Sequence, residues 1–561
     1  MRTVDDLEVS YAQLEYPQLE TERGIFHKLE QHKLLIVLIT LAIAFAARVY
    51  RLDAASLAED EANKLFAIRA YEQGDFTVNA EHPMVMKMLC YASLHTAAAW
   101  NNAVGDGAGL SITSEAAIRF PNALFGALTV IPLFLFTKVL LGFRVALITS
   151  MLWATGLDAI WFNRVGKEDT LLVFFMLTAF YVYNRAKQAP DSDATRQHRL
   201  YILAGAAFGL MIASKFFPHL FGLYVLFYHV VGYDSRNNRA KSGVIEMKFF
   251  AAMLLAFVAF NPAMFVPQTW RYLWKYVTEN LMTHHGYLFM DELFINDISR
   301  TPGGAPWYYY FVFIWVKIPP PVIAAFLIGL IEIFRHRGRY PKSRGYLFLR
   351  IMLVFWLFPM ALVGGKFLRY TLSLMPFLYM AAAVGIVVAW RALVSLIRRA
   401  SLDLQTARIA AAVAVAIVFI ILPARTAFAN LPYPNLYVNA LGGRRTGYFF
   451  PHDEFYDLGA RESIRYIAEN APRGARLASE IPGVVEYYLE RYNRRDIKSE
   501  IMSKPDFSLN ESAPDYVLLQ RGRVYFENQQ NLDFIEKNFP LEQASTFNGA
   551  AATEVYRIGS Q

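Results

Sequence analysis

Three consecutive acids, Glu59-Asp60-Glu61, follow the first long apolar run of this chain by about ten positions. Further polar residues recur at the ends of later apolar runs. They are His82 and Lys87, Arg119, Arg164 with Lys167, Glu168 and Asp169, Lys215, and Lys366 with Arg369. A charge inside a bilayer costs a few kcal/mol, so such side chains usually face a cavity or a partner. Each Lys or Arg taken alone also fits a helix end that snorkels to the interface. Gathered on one side of a membrane, the set suits removal of a glycosyl group from a phosphate. A carboxylate takes the acceptor's proton in an inverting displacement. The phosphate leaves as an anion, needs no general acid, and is stabilised by Arg or Lys. The acidic triplet alone equally fits a solvated helix N-terminus, favourable with the helix dipole.

The elements that must hold these residues are apolar. The chain has 561 residues, 55% hydrophobic and 15% aromatic, with mean hydropathy +0.27. Soluble proteins are nearer 45–50% apolar. Runs long enough to cross about 30 Å of hydrocarbon are read at 34–50, 119–141, 144–162, 170–185, 200–214, 216–232, 249–266, 308–334, 347–364, 370–394 and 408–424. The expected fold class is therefore an all-α polytopic membrane protein with about eleven transmembrane helices. The first run continues into Arg48 and Arg51 without a small-residue cleavage site, so it is read as a membrane helix and not a signal peptide. The net charge of +8 is assigned to cytoplasmic loops and not to nucleic-acid binding. The single cysteine, Cys90, excludes an intramolecular disulfide and a Cys-rich metal site.

Basic clusters in 186–199, 233–248, 335–344 and 395–408 set the expected orientation. With residues 1–33 as a cytoplasmic segment and 34–424 as the transmembrane part, all four clusters fall inside. The loop 51–118 and residues 425–561 then fall outside, and the unusual polar residues collect on that outer face. The apolar stretch Met84–Trp100, interrupted by Lys87 and His95, is read as lying along the outer surface. After Pro423 charges become frequent. Helix-like segments near 459–470 and 483–492 alternate with strand-like ones near 476–481, 515–520 and 552–558. That pattern predicts a small soluble α/β domain behind a Pro/Gly linker at 425–452. In the outer loop 267–306, His284 and His285 stand near Tyr287, Asp291 and Glu292. They suggest either a lid or metal site or an ordinary interfacial loop.

Four features resemble the protein O-mannosyltransferase family (glycosyltransferase family 39) and its bacterial relatives, which include the lipid A aminoarabinose transferases. They are the pair Asp60-Glu61 followed by a segment ending Gly74-Asp75-Phe76; His82-Pro83-x-x-x-Lys87; Arg119-Phe-Pro-Asn-Ala-Leu-Phe-Gly126; and Arg164 with Asp169, then Ser214-Lys215. The resemblance spans roughly 34–400. It implies the membrane glycosyltransferase fold called GT-C, with Asp60 as catalytic base and Glu61 beside it in the acceptor or donor site. Met84 departs from a second proline of the family's His-Pro-Pro element, and the loop 267–306 is too short for the β-trefoil insert of the eukaryotic members.

The expectation is an inverting glycosyltransferase at the plasma or inner membrane. It would take a sugar from a polyprenyl-phosphate carrier to a protein, lipid or glycan acceptor on the extracytoplasmic face. Asp60 and Glu61 are the catalytic candidates. His82, Lys87, Arg119, Arg164, Asp169, Lys215, Lys366 and Arg369 are the substrate-binding candidates. A divalent metal is left open. The competing class is a transporter or flippase of lipid-linked sugars, which also wants intramembrane charge but usually shows paired halves; none is visible here.

Overall fold

The computed structural model describes residues 29–559 apart from 106–108, 191, 217–218, 232–242, 279–283, 337–341, 400–402 and 505. Residues 1–28 and the basic positions Arg236, Arg239, Lys241, Arg337 and Arg339 lie outside the described residues, as do the side chains of His284 and His285. Helices stand at every apolar run read from the sequence, from Lys33–Val49 to Leu404–Ala416, which continues through a π-helical turn at Ile417–Ile421 into Leu422–Ala429. Four helical stretches are long and apolar enough to cross a membrane: Ser114–Leu141, Arg344–Leu362, Met375–Arg398 and Leu404–Ala429. Phe143–Thr155 and Met247–Ala259 are apolar but shorter.

Small residues set the helix packing. A Cβ on Gly385 would lie 1.9 Å from the Ala325 carbonyl oxygen, and one on Gly329 would lie 1.8 Å from that of Ala381. Helices Pro320–Arg335 and Met375–Arg398 thus meet backbone to backbone, as is common where lipid leaves van der Waals contact to drive association.

The first connection folds on the bundle as the helix Glu59–Glu72 and then Met84–Val104. The latter buries Met84, Met86, Lys87 and Cys90 but exposes Met88, Tyr91 and Trp100. The expected tail domain is present. We number strands in chain order: a hairpin of β1 (His284–Phe289) and β2 (Glu292–Asn296) belongs to the loop after Pro267–Thr278. The tail sheet is built from β3 (Arg476–Ser479), β4 (Lys498–Ile501), β5 (Tyr516–Gln520), β6 (Leu541–Phe547) and β7 (Ala550–Arg557). Its order is β4-β3-β5-β7-β6, parallel over the first three strands and antiparallel beyond.

The tail shares a core with the acidic helix. Leu57, Ala62 and Leu65 pack with Val484, Val485 and Tyr488 of the helix Pro482–Arg491. The Tyr488 hydroxyl accepts from Leu57 N at 2.9 Å and donates to Glu115 at 3.1 Å. Arg491 pairs with the same Glu115 at 2.9 Å. Burial of these apolar side chains stabilises the contact at about 25 cal/mol per Å². The tail domain therefore fixes the helix that carries Asp60.

Candidate active site

Asp60 lies in the first turn of the helix Glu59–Glu72, where a carboxylate is favoured by the helix dipole. Three segments converge on it. Lys167, from the turn between Leu157–Phe162 and Asp169–Gln188, places Nζ 2.7 Å from Oδ1. Arg369, from the 3₁₀ turn Leu368–Ser373, places Nη1 3.9 Å from Oδ2. Tyr456, just past the helix Pro451–Phe455, donates its hydroxyl to the same Oδ2. The Asp60 side chain keeps 25% of its exposure, against 5% for Lys167 and 17% for Arg369. It is the open carboxylate of the cluster.

Each approaching segment is pinned. Asn122 donates to the carbonyls of Val165 and Lys167, and Gly166 N donates to Glu61 at 2.8 Å. Leu368 N donates to Asp453 at 3.2 Å, which sets the turn holding Arg369. Tyr456 and Asp457 both adopt left-handed backbone, φ 45 and 63. That conformation costs a non-glycine residue of order 1–3 kcal/mol unless its surroundings enforce it. Here they do. Arg523 holds the Asp457 carboxylate at 2.7 and 2.9 Å, and Glu59 N donates to it at 2.9 Å. Glu59 itself pairs with Arg523 at 2.7 Å.

Burial alone would raise the Asp60 carboxyl. Lys167, Arg369 and Lys64 overcome it and hold the group well below the usual carboxylate range. Burial pushes Lys167 down to about 8 despite the opposing field of Asp60. Lys64 and Glu168 form a buried pair behind them at 2.9 Å. A small cavity of about 20 Å³ lies beside the cluster, lined among others by Trp161, Lys167, Asp169, Arg369, Asp453 and Tyr456. Two cations on this cavity, paired with a partly exposed carboxylate, can hold an oxyanion and accept a proton from a hydroxyl.

The other residues singled out from the sequence take different places. Glu61 is fully buried; Arg119 binds it at 2.7 and 2.8 Å, and the Gly166 and Ala58 amides bind it at 2.8 and 3.0 Å. Arg119 spends its remaining N–H groups on the carbonyls of Leu52, Ala55 and Ser56. That clamp positions the loop before Asp60. Arg164 closes the end of the first helix through the carbonyls of Arg48, Tyr50 and Arg51. Lys87 donates to the Asn79 and His82 carbonyls at 2.6 and 2.9 Å, fixing the turn before its own helix. Burial drives the His82 imidazole well below its ordinary value, beside Glu168, Lys167 and Lys64. Lys366 donates to the carbonyls of Ala305 and Val363. Lys215 pairs with Asp169 at 2.5 Å and lies over the Tyr370 ring at 4.6 Å. Of the substrate-binding candidates, the structure thus brings Arg369 to Asp60, with Asp169 on the same cavity. Among the described residues no group of three His, Cys, Asp or Glu could hold a metal ion.

Sequence reasoning named Lys167 among the polar residues at helix ends but not among the substrate-binding candidates, and it passed over Tyr456 and Asp453. Lys167 carried a signal, since it stands between two apolar runs beside Arg164. Tyr456 and Asp453 carried none, being ordinary residues at the end of a linker.

The Glu61–Arg119 clamp gives a direct expectation. Arg119→Ala leaves Glu61 buried and unpaired, and breaking a buried pair costs about 3–5 kcal/mol. The thermal transition of the purified protein should fall sharply. A melting curve unchanged from that of the parent would remove the clamp from the architecture.

Residues 107–265 match the family model described as Dolichyl-phosphate-mannose-protein mannosyltransferase. The match takes in Arg119, Arg164, Lys167, Asp169 and Lys215 and stops short of Asp60 and Arg369. No curated protein matches the chain by sequence. Among solved structures, ArnT from Cupriavidus metallidurans in the apo state is similar over 94% of this chain and 98% of its own, with 13% identity and TM-score 0.51. The apo oligosaccharyltransferase of Archaeoglobus fulgidus is similar over 94% of this chain and 74% of its own, with 12% identity and TM-score 0.52. This chain therefore has the fold of the GT-C membrane glycosyltransferases and carries, over residues 107–265, the match to the dolichyl-phosphate-mannose-protein mannosyltransferase family.

Proposed function

We propose that the protein is an inverting glycosyltransferase that moves a sugar from a polyprenyl-phosphate carrier to a hydroxyl of a protein, lipid or glycan. The reaction takes place on the extracytoplasmic face of an eleven-span bundle. The observation that carries this reading is Asp60, partly exposed and paired with Lys167 and Arg369, two cations that line the adjoining cavity. The matched family's description supplies the donor class: a sugar on a polyprenyl phosphate.

Asp60 is the base. The acceptor hydroxyl takes the place of the Tyr456 phenol on Oδ2 and gives its proton to the carboxylate. Its oxygen bonds to the anomeric carbon while the bond from that carbon to the phosphate oxygen breaks. The electron pair leaves with the polyprenyl phosphate, and Arg369 and Lys167 stabilise the growing charge. Arg369, at 3.9 Å from Asp60, is the more loosely held of the two and is free to turn to phosphate. Donor binding has a second consequence. The phosphate draws off the cationic field that keeps Asp60 acidic, so the carboxylate becomes a better base only in the loaded site.

The pH dependence follows from Lys167. Its charge is present below about 8 and is lost as pH rises through that value. Donor capture, read as kcat/KM for donor, should therefore decline above about pH 8 and be restored by acidification. A flat profile from pH 6 to 10 would remove Lys167 from the phosphate site. The function itself is tested by incubating the purified protein with polyprenyl-phosphate mannose, glucose and pentose and measuring released polyprenyl phosphate. Release from none of them, in the presence of mixed cell-envelope acceptors, overturns the reading.

A further inference from the structure

Three helices of the bundle leave between them a groove of about 500 Å³. Ile39 and Ile43 of Lys33–Val49 form one wall, Met151 of Phe143–Thr155 the floor, and Ile421 and Phe428 of the last helix the other wall. Ile39 and Ile421 remain 52% and 54% exposed, so among the described residues no side chain fills the space between them. The two threonines of the groove turn their hydroxyls back onto their own helices. Thr40 donates to Ile36 O at 2.8 Å and Thr155 to Met151 O at 2.9 Å. The π-helical turn Ile417–Ile421 brings Ile420 and Ile421 to the wall; such bulges occur often at functional sites.

One charged residue lines this groove, Arg425, four residues before its helix ends at Ala429. Arg425 is exposed and has no hydrogen-bond or ion-pair partner among the described residues. An apolar slot in the bilayer with a free guanidinium at one end matches a lipid with an apolar chain and an anionic head. From Ile36 to Ile43 the slot runs roughly 10 Å along the helix, the reach of part of one acyl chain. Lys167, Arg369 and Asp60 are absent from its lining. A carrier phosphate bound there would sit away from the cations that must receive it, so the occupant is a phospholipid and not the sugar donor.

We propose that this groove is a binding site for one anionic phospholipid, its acyl chain between the first and last helices and its phosphate on Arg425. The bound lipid braces the last helix. That helix is followed, after the turns Pro434–Leu436 and Ala440–Gly442, by the segment bearing Asp453 and Tyr456. The proposal stands apart from the transfer chemistry, because its readout is lipid retention.

The test uses the full-length protein in detergent, native mass spectrometry, and dioleoyl-phosphatidylglycerol against dioleoyl-phosphatidylcholine. One phosphatidylglycerol should be retained with about tenfold preference, the worth of one charge-assisted contact. The preference should vanish in Arg425→Gln and survive in Arg425→Lys. Ile43→Trp, which fills the groove, should lose retention of both lipids. Thermal unfolding without added lipid checks that each variant is folded. Equal retention of the two lipids, or a preference unchanged in Arg425→Gln, overturns the proposal. So does undecaprenyl phosphate competing phosphatidylglycerol off at equal concentration.

Discussion

Asp60→Asn should lower turnover by a factor on the order of 10² to 10⁴ while expression and folding persist, the usual worth of a positioned acid or base. The amide keeps the shape of the carboxylate; its oxygen can still accept from Lys167 and its NH2 can donate to the Tyr456 hydroxyl oxygen, so the converging segments keep contacts. It cannot take a proton at neutral pH. Donor binding should also survive, because Arg369 and Lys167 remain. Glu59 offers the matching control. Its carboxylate pairs with Arg523 of the tail domain and not with Lys167 or Arg369. Glu59→Gln should therefore cost far less turnover than Asp60→Asn. Near-normal product release by Asp60→Asn, measured as polyprenyl phosphate formed per enzyme, would remove Asp60 as the base and leave the fold untouched.

Neutralising the cations should act on the other half of the reaction. Arg369→Gln and Lys167→Met are each expected to weaken donor binding and to slow transfer more than tenfold, since a hydrogen bond to a charged group contributes about 1.5–3 kcal/mol. The two differ in detail. Arg presents a planar fork to phosphate and Lys a point charge, so Arg369→Lys should recover only part of the loss. Lys366→Met is the informative contrast. Its ammonium already serves the Ala305 and Val363 carbonyls, so its loss should disturb the local loop and the melting curve more than donor affinity. Unchanged donor affinity in both Arg369→Gln and Lys167→Met would return those residues to a purely structural part.

Much of this arrangement is local and was legible before any coordinates. Apolar runs bounded by charge must be helices in a bilayer, because no other segment satisfies its own backbone there. Alternation of amphipathic helix and strand patterns after Pro423 announced the α/β tail. Its helices Ala460–Asn470 and Pro482–Arg491 and its strands β3, β5 and β7 fall close to where that pattern put them. Strands β4 and β6 were missed. Neither has a long apolar run, since β4 is half-buried at the sheet edge and β6 alternates toward solvent. The carboxylate at Asp60 and the need for cations opposite it also follow from residue type and order.

Which cation stands free does not follow from sequence. Lys87, Arg119, Arg164 and Lys366 all looked equally available, yet each meets backbone carbonyls or a buried acid that the fold brings to it. Asp60 and Glu61 are chain neighbours, but about 100° of helical rotation sends one to Lys167 and Arg369 and the other into the Arg119 clamp. Tyr456, some 400 residues from Asp60 in the chain, completes the carboxylate's surroundings from the tail domain. The sequence by itself determined the helices and the tail and pointed to a kind of chemistry, because these rest on periodicity, composition and residue type. Only the tertiary structure decided which charges meet, because a charge is spent or available according to the carbonyls and counter-charges packed around it, and those partners come from anywhere in the chain.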